Sequence, residues 1–137
     1  MPPLFVYGSL KEGFPNFHVN QGRRVPGEFR TVRPHPLYLV GGRLPCLLPA
    51  AGQGLRVQGQ LFEVSDDALA RMDALERVGQ PGGYRRELIE VQAMDPAAPD
   101  PLSAYVYLQS PAMLDLAGDH LGPLALYTLE HARSLRW

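Results

Sequence analysis

Short apolar runs, each closed by a turn-forming residue, make up most of this chain. The run 4–7 is β-prone and is stopped by Gly8, which predicts a buried strand that enters a tight turn. Residues 57–64 and 86–93 alternate apolar and polar positions, as a strand with one buried face does. Residues 103–109 are also β-rich and predict another strand. The pattern therefore predicts a sheet of several short strands.

Weaker patterns occupy the segments between these strands. Residues 25–32 and 36–40 are predicted to be strands, and residues 17–21 a short helical turn. Residues 8–16 and 41–49 are predicted to be loops, because Gly and Pro recur in both segments. The second of these loops leaves room for one short extended piece.

The helix signals are few and well marked. Ser65 followed by two aspartates is typical of an N-cap with acids in the first turn. This helix is predicted to run to about Glu76, before the Gly- and Pro-rich segment 79–83. Two more helices are predicted, one over residues 110–117 and one from residue 122 to the C-terminus, each beginning near a proline.

The composition narrows this pattern to a loop-rich globular domain. Fourteen Gly and fourteen Pro among 137 residues exclude a helical bundle or coiled coil as the main architecture. Because 45% of the residues are hydrophobic and 20% charged, the chain is not disordered. A chain of this length can bury roughly two-thirds of its surface. We therefore expect one domain, residues 1–137, of α+β or mostly β class.

Charge and cysteine content exclude several classes of function. The net charge is −1 and no basic cluster exceeds two adjacent arginines, so nucleic-acid binding is not expected. No apolar run approaches the roughly 18 residues of a membrane span. The first residues also lack a signal-peptide pattern, so a cytoplasmic protein that does not bind membranes is expected. Cys46 has no disulfide partner, and the four His show no metal-ligand spacing, so no metal site is predicted.

The turn after the first predicted strand is one candidate site. Gly8 and Gly13 have the spacing of a phosphate-binding loop, but the Lys-Ser/Thr pair that should follow is absent. Ser9 lacks the G-x-S-x-G elbow of an activated nucleophile. What remains is a small-residue turn whose backbone N–H groups can face an anion or a developing oxyanion. An ordinary strand-ending turn is the alternative.

A carboxylate at the end of the first predicted helix is another candidate. The apolar face of this helix consists of Ala68, Leu69, Met72 and Leu75. Glu76 is seven residues after Leu69 and falls only about 20° from it on a helical wheel, so it lies on the same face. Burial raises the pKa of such a carboxyl toward the range of a general acid or base. The alternative is an ion pair with Arg77, Arg85 or Arg86.

Aromatic and basic residues near the next strand complete the candidates. Tyr84, Tyr105 and Tyr107 are expected to form core or pocket walls, with one hydroxyl available to a ligand. Arg85 and Arg86 are adjacent at a strand start, so one of them faces inward and needs an acid or a ligand carboxylate as its partner.

Several short motifs carry a resemblance to a known family. They are Tyr7-Gly8-Ser9-Leu10, Phe14-Pro15-Asn16, Leu44-Pro45-Cys46-Leu47, the strand 57–64, Met72-Asp73-Ala74-Leu75-Glu76 and Tyr84-Arg85-Arg86. With these motifs in this order, the sequence resembles the gamma-glutamylcyclotransferase-like (AIG2-like) family. The resemblance covers about residues 5–92 and is greatest to the members that act on γ-glutamylamines.

The resemblance implies a fold and a reaction. The implied fold is α+β, a small mixed β-barrel with flanking short helices. The implied enzyme needs no cofactor and converts an L-γ-glutamyl amine or γ-glutamyl peptide, its small-molecule partner, to 5-oxo-L-proline and the free amine. Glu76 would be the general base and acid. The implied substrate-binding residues are Tyr7, Gly8, Ser9, Leu10, Tyr84 and Arg86.

Two segments depart from the family pattern and leave the leaving group open. The loop between Glu76 and Tyr84 is longer than in the amine-specific members, and residues 110–137 match nothing in the resemblance. A related option is deprotection of a γ-glutamyl intermediate, which uses the same chemistry on another leaving group. The alternative from a different class is a non-catalytic module of the same fold that binds a small ligand or a partner, because a fold alone does not define a function.

Overall fold

Short strands dominate the structure. A computed structural model describes residues 3–41, 44–97, 100–112 and 119–133. The strands are β1 (Leu4–Val6), β2 (Arg23–Arg24), β3 (Phe29–Thr31), β4 (Leu37–Val40), β5 (Leu44–Leu47), β6 (Gln58–Glu63), β7 (Arg85–Ala93), β8 (Leu102–Leu108) and β9 (His120–Leu121). The helical elements are a 3₁₀ turn (Phe17–Val19), α1 (Asp66–Leu75) and a short helix (Leu129–Arg133).

Within the described ranges, five strands form a closed ring. Their order is β1-β8-β7-β3-β6, and β6 pairs back with β1. The pairing of β1 with β6 is antiparallel and that with β8 is parallel, so the barrel is mixed. β2 extends the sheet beyond β6, and β5, β4 and β9 form a separate three-stranded sheet. The predicted fold class, an α+β small mixed barrel with flanking short helices, is confirmed.

The alternation of side chains along β1 divides the core in two. Phe5 and Tyr7 belong to the larger apolar cluster, together with the inward residues of the other barrel strands. Leu4 and Val6 point the other way and pack with Met72 of α1. Because β1 is buried on both faces, its sequence is a continuous apolar run and does not alternate apolar and polar residues.

Helix α1 starts and packs as its sequence predicts. The Ser65 hydroxyl accepts a hydrogen bond from the Ala68 N–H at 3.1 Å, which caps the first turn. Ala68, Leu69 and Met72 are buried, whereas Leu75, at the end of the helix, is 37% exposed. No helix among the described residues is long and apolar enough to cross a membrane.

The structure refines one loop prediction and shortens one predicted strand. Residues 44–47 form an edge strand of the smaller sheet, with Pro45 opposite Leu39, and are the short extended piece for which the predicted loop 41–49 left room. An edge position tolerates Pro45, because its missing N–H can face away from the ladder. The strand expected over 25–32 is restricted to Phe29–Thr31, after the interruption by Pro26 and Gly27.

The helix expected from residue 122 starts seven residues later. The peptide bond Gly122–Pro123 is cis, and Gly122 has φ 144°. The next residues are held extended, since Leu124 donates to the Leu37 carbonyl at 2.7 Å and Gln58 donates to the Ala125 carbonyl at 2.8 Å. These tertiary bonds outweigh the local helix signal. The helix expected over 110–117 falls largely outside the described residues, as does the end of the chain.

Replacing Ser65 by Ala should lower the free energy of unfolding by about 1 kcal/mol, because the N-cap hydrogen bond of α1 is lost. Chemical denaturation of both proteins measures the difference. Ser103→Ala is the matched control, since it removes an exposed hydroxyl without a cap, and it should change stability by less than about 0.5 kcal/mol. Equal losses in the two variants would contradict the capping role.

Candidate active site

A cleft of about 190 Å³ opens where β1 ends. Its walls come from the turn after β1, the end of α1, the start of β5, the loop before β7 and the end of β8. The lining residues are Val6, Tyr7, Gly8, Ser9, Leu10, Asn16, Leu44, Pro45, Leu75, Glu76, Arg77, Gly82, Gly83, Tyr84, Tyr107 and Gln109. The cleft therefore joins the two candidate sites that the sequence indicated.

The turn after β1 is tightly held and presents unused backbone donors. A Cβ at Gly8 would lie 2.8 Å from the Cγ of Pro45, so close packing against β5 explains this glycine. The Ser9 hydroxyl accepts from the Asn16 amide at 2.9 Å. No backbone N–H of Gly8, Ser9 or Leu10 donates a hydrogen bond to another described residue. These three residues also line the cleft, so their N–H groups are candidate donors to a ligand there.

Tyr7 and Lys11 anchor the two ends of this turn. The Tyr7 hydroxyl donates to the Tyr107 carbonyl at 2.6 Å, so Tyr7 contributes its ring to the cleft rather than a free hydroxyl. Lys11 is 3% exposed, and its ammonium donates to the Tyr127 carbonyl. The same ammonium lies 4.2 Å from the centre of the Phe14 ring. Burial lowers the pKa of Lys11 to about 8.

Backbone bonds on both sides fix the position of Glu76. Its N–H closes the last turn of α1 by donating to the Met72 carbonyl at 2.9 Å, and its carbonyl accepts from the Tyr84 N–H at 2.9 Å. Arg77 then adopts a left-handed φ of 57°, which ends the helix. The carboxylate is partly buried in the cleft wall.

The Glu76 carboxylate has no ion-pair partner among the described residues. The neighbouring arginines are engaged elsewhere: Arg86 lies 3.0 Å from Asp73, and Arg85 lies 3.5 Å from Glu87. Burial without a compensating cation raises the pKa of Glu76 from 4.5 to about 7. The alternative, an ion pair of Glu76 with Arg77, Arg85 or Arg86, is therefore not seen among the described residues.

The tyrosine hydroxyls and the thiol near Glu76 stay neutral. The Tyr84 hydroxyl donates to the Pro45 carbonyl at 2.8 Å, and the Tyr107 hydroxyl donates to Asp73 at 2.7 Å. Burial, reinforced by the charge of Glu76, raises the pKa of Tyr84 and of Tyr107, and burial raises that of Cys46 to about 11. Of the side chains in this cluster, Glu76 has the pKa suited to exchanging protons near neutral pH.

The structure brings together most of the predicted site residues. Lining the cleft are Tyr7, Gly8, Ser9, Leu10, Glu76 and Tyr84. Arg86 does not line it, because its guanidinium pairs with Asp73 and lies 4.5 Å from the Tyr105 ring centre.

Sequence reasoning missed two polar residues of the cleft, Asn16 and Gln109, whereas the segment with Pro45 was expected to line it. Asn16 belongs to a motif that carried the resemblance, but no role was assigned to it. Gln109 gave no signal, since a glutamine at a strand end matches no motif. Among the described residues, no group of three or more His, Cys, Asp or Glu side chains could hold a metal ion.

The fold is that of the AIG2-like proteins. The solved structure of an AIG2-like protein from Mus musculus matches this structure with a TM-score of 0.78 and 31% identity, over 100% of this chain and 95% of the mouse chain. The family model for gamma-glutamyl cyclotransferase, AIG2-like, matches residues 4–125. The chain belongs to this family. The match extends well beyond the expected limit near residue 92.

Curated relatives agree with this assignment. Gamma-glutamylaminecyclotransferase B of Danio rerio is 38% identical over 100 residues, which are 69% of this chain and 51% of the relative. Gamma-glutamylaminecyclotransferase of Homo sapiens is 34% identical over 121 residues, which are 78% of each chain. The matched region thus spans about half the length of the zebrafish relative.

The raised pKa of Glu76 predicts a pH-dependent loss of stability. The folded state holds this proton to about pH 7, whereas the unfolded chain releases it near 4.5, so stability falls as the pH rises through this window. The free energy of unfolding of Glu76→Gln, relative to that of the wild type, should therefore rise by about 1–3 kcal/mol from about pH 5 to about pH 8. Denaturant unfolding at both pH values measures the change.

Glu90→Gln is the control for this comparison, because Glu90 is exposed on β7. Its stability relative to the wild type should stay nearly constant over the same pH range. If the stability difference between Glu76→Gln and the wild type were the same at both pH values, the pKa of the carboxyl would not be raised by burial.

Proposed function

We propose that this protein is a γ-glutamyl cyclotransferase, which converts an L-γ-glutamyl amine or γ-glutamyl peptide to 5-oxo-L-proline and the free amine. The observation that carries the proposal is an unpaired, partly buried carboxylate beside three free backbone donors in one cleft. Membership in the gamma-glutamyl cyclotransferase family and relatives named as gamma-glutamylaminecyclotransferases support the reaction class.

Glu76 is the proposed general base and acid. The α-ammonium of the substrate cannot attack until it loses a proton, and a carboxylate with a pKa of about 7 accepts one near neutral pH. The freed amine attacks the γ-carbonyl and closes the five-membered ring. As the C–N bond to the leaving amine breaks, the protonated carboxyl gives its proton to that nitrogen. The regenerated carboxylate then takes the second proton from the new ring nitrogen and passes it to the released amine, which becomes an ammonium. The cycle leaves Glu76 as it began.

The turn after β1 is the proposed binding site for the γ-glutamyl part. Its free N–H groups, at Gly8, Ser9 and Leu10, suit the substrate carboxylate or the oxygen that becomes negative when the carbonyl is attacked. Holding the substrate folded also raises the effective concentration of its own amine at the γ-carbonyl. The Tyr84 ring bounds the same cleft, whereas Arg86 fits better as the partner of Asp73 than as a direct substrate ligand.

Glu76→Gln should lower kcat by about 10²- to 10⁴-fold, the contribution typical of a positioned acid–base group. The assay follows release of 5-oxoproline from a panel of γ-glutamyl amines and γ-glutamyl peptides. Near-ultraviolet circular dichroism checks that the variant is folded.

The exposed Glu90→Gln variant is the control and should keep wild-type turnover. A folded Glu76→Gln variant with full activity would refute the role of Glu76 but not the reaction. Tight binding of 5-oxoproline by a wild-type protein that turns over no γ-glutamyl compound would favour a binding module instead.

The pH dependence of the wild-type reaction gives a separate test. Only the charged Glu76 carboxylate accepts a proton, so kcat/KM should rise with pH and level off above an apparent pKa near 7. Initial rates between about pH 5 and pH 8.5 define this limb. An apparent pKa near 4.5 in this profile, the ordinary value for glutamate, would contradict a base that is buried as Glu76 is.

A further inference from the structure

Gln109 is a buried amide that joins the end of β8 to a loop of the cleft. It is 2% exposed and lines the cleft. Its Nε2 donates to the Gly82 carbonyl at 3.2 Å, and its Oε1 accepts from the Ser110 N–H at 2.8 Å. Its backbone N–H donates to the Leu47 carbonyl of β5 at 2.8 Å. Both ends of the amide are used, so its orientation is fixed.

Apart from Gln109, local bonds hold the loop that it contacts. Its base is tied to the end of α1, because Tyr84 donates to the Glu76 carbonyl at 2.9 Å. Inside it, Gln80 donates to the Arg77 carbonyl and Gly83 donates to the Gln80 carbonyl, both at 3.0 Å, which builds two local turns. Among the described residues, the bond from Gln109 is the one hydrogen bond that links residues 79–83 to a residue outside 77–83.

We propose that Gln109 is a positioning residue that holds this loop as the cleft wall against which the leaving amine of the substrate lies. The inference rests on the proposed function. Because the γ-glutamyl part is assigned to the turn after β1, the remaining lining of the cleft is left for the leaving amine, and this lining includes Gly82 and Gly83 of the loop.

Loss of the Gln109 amide should therefore affect substrates according to the size of the leaving amine. Without the bond to Gly82, the loop must be ordered when a substrate binds against it, and the cost appears as a higher KM. A small amine does not reach the wall. The chemistry at Glu76 is unchanged, so kcat should hardly move.

The test compares γ-glutamyl methylamide with γ-glutamyl benzylamide in the wild type and in Gln109→Met, which keeps the length and lacks both polar atoms. The KM for the benzylamide should rise by about 2- to 10-fold, the loss expected for one hydrogen bond. The KM for the methylamide and both kcat values should stay within about twofold. Gln21→Met, an identical change at an exposed position, should leave all four constants unchanged.

Hydrogen exchange provides a readout that does not need activity. Amides in residues 79–83 should exchange faster in Gln109→Met than in the wild type, while those of α1 do not. Where Gln109→Met does not fold, Gln109→Asn gives the same comparison, because it keeps a neutral amide but is one methylene too short to reach the Gly82 carbonyl.

The possible results separate the two proposals. Unchanged exchange in the loop overturns the positioning role, and equal KM changes for both substrates overturn the link to the leaving amine. A wild-type protein that turns over neither substrate refutes the proposed function, and the exchange experiment still decides whether Gln109 holds the loop.

Discussion

Leu4–Val6 forms hydrogen bonds on both sides, antiparallel to β6 and parallel to β8, and this double pairing closes the barrel. The strand is also buried on both faces, against the barrel interior and against α1. Two strand partners and two buried faces fix the position of β1, and they therefore also fix where the following turn begins. Because α1 packs on Leu4 and Val6, its last turn is held at the same edge of the barrel. The convergence of turn and helix end follows from this one strand.

The fold was predictable where a segment's own pattern agreed with its tertiary role. The alternation of β6 and β7, the apolar run of β1 and the Ser65 cap of α1 all specify their elements locally. The exact bounds of the strand at 44–47 could not be predicted, and the helix expected from residue 122 was wrong in its start, because both conformations depend on partners. Pro45 is accepted in a strand because β5 is an edge, and residues 122–128 are not helical, since Leu124 and Ala125 are hydrogen-bonded to β4 and β6.

The candidate site also has features that the local sequence specifies and features that depend on tertiary partners. Glu76 could be found from helical periodicity, since a carboxylate on an apolar face must be buried, paired or perturbed. The turn after β1 could be found from its glycine and its place after a buried strand. The spacing of the arginines and acids does not show which of them pair. In the structure, Arg86 pairs with Asp73 and does not line the cleft. Gln109 was also hidden, because its role depends on a loop that only the folded chain brings within 3.2 Å.

Stability and the proposed chemistry oppose each other at Glu76. Its raised pKa means that the folded protein is less stable at the pH where the carboxylate is charged and able to take a proton. An ion pair with Arg86 would relieve this cost, but it would also lower the pKa and weaken the base. Asp73, one helical turn earlier, holds that arginine 3.0 Å away and accepts from Tyr107 as well. The Asp73–Arg86 pair therefore ties α1 to the barrel while it engages a cation that could otherwise pair with Glu76.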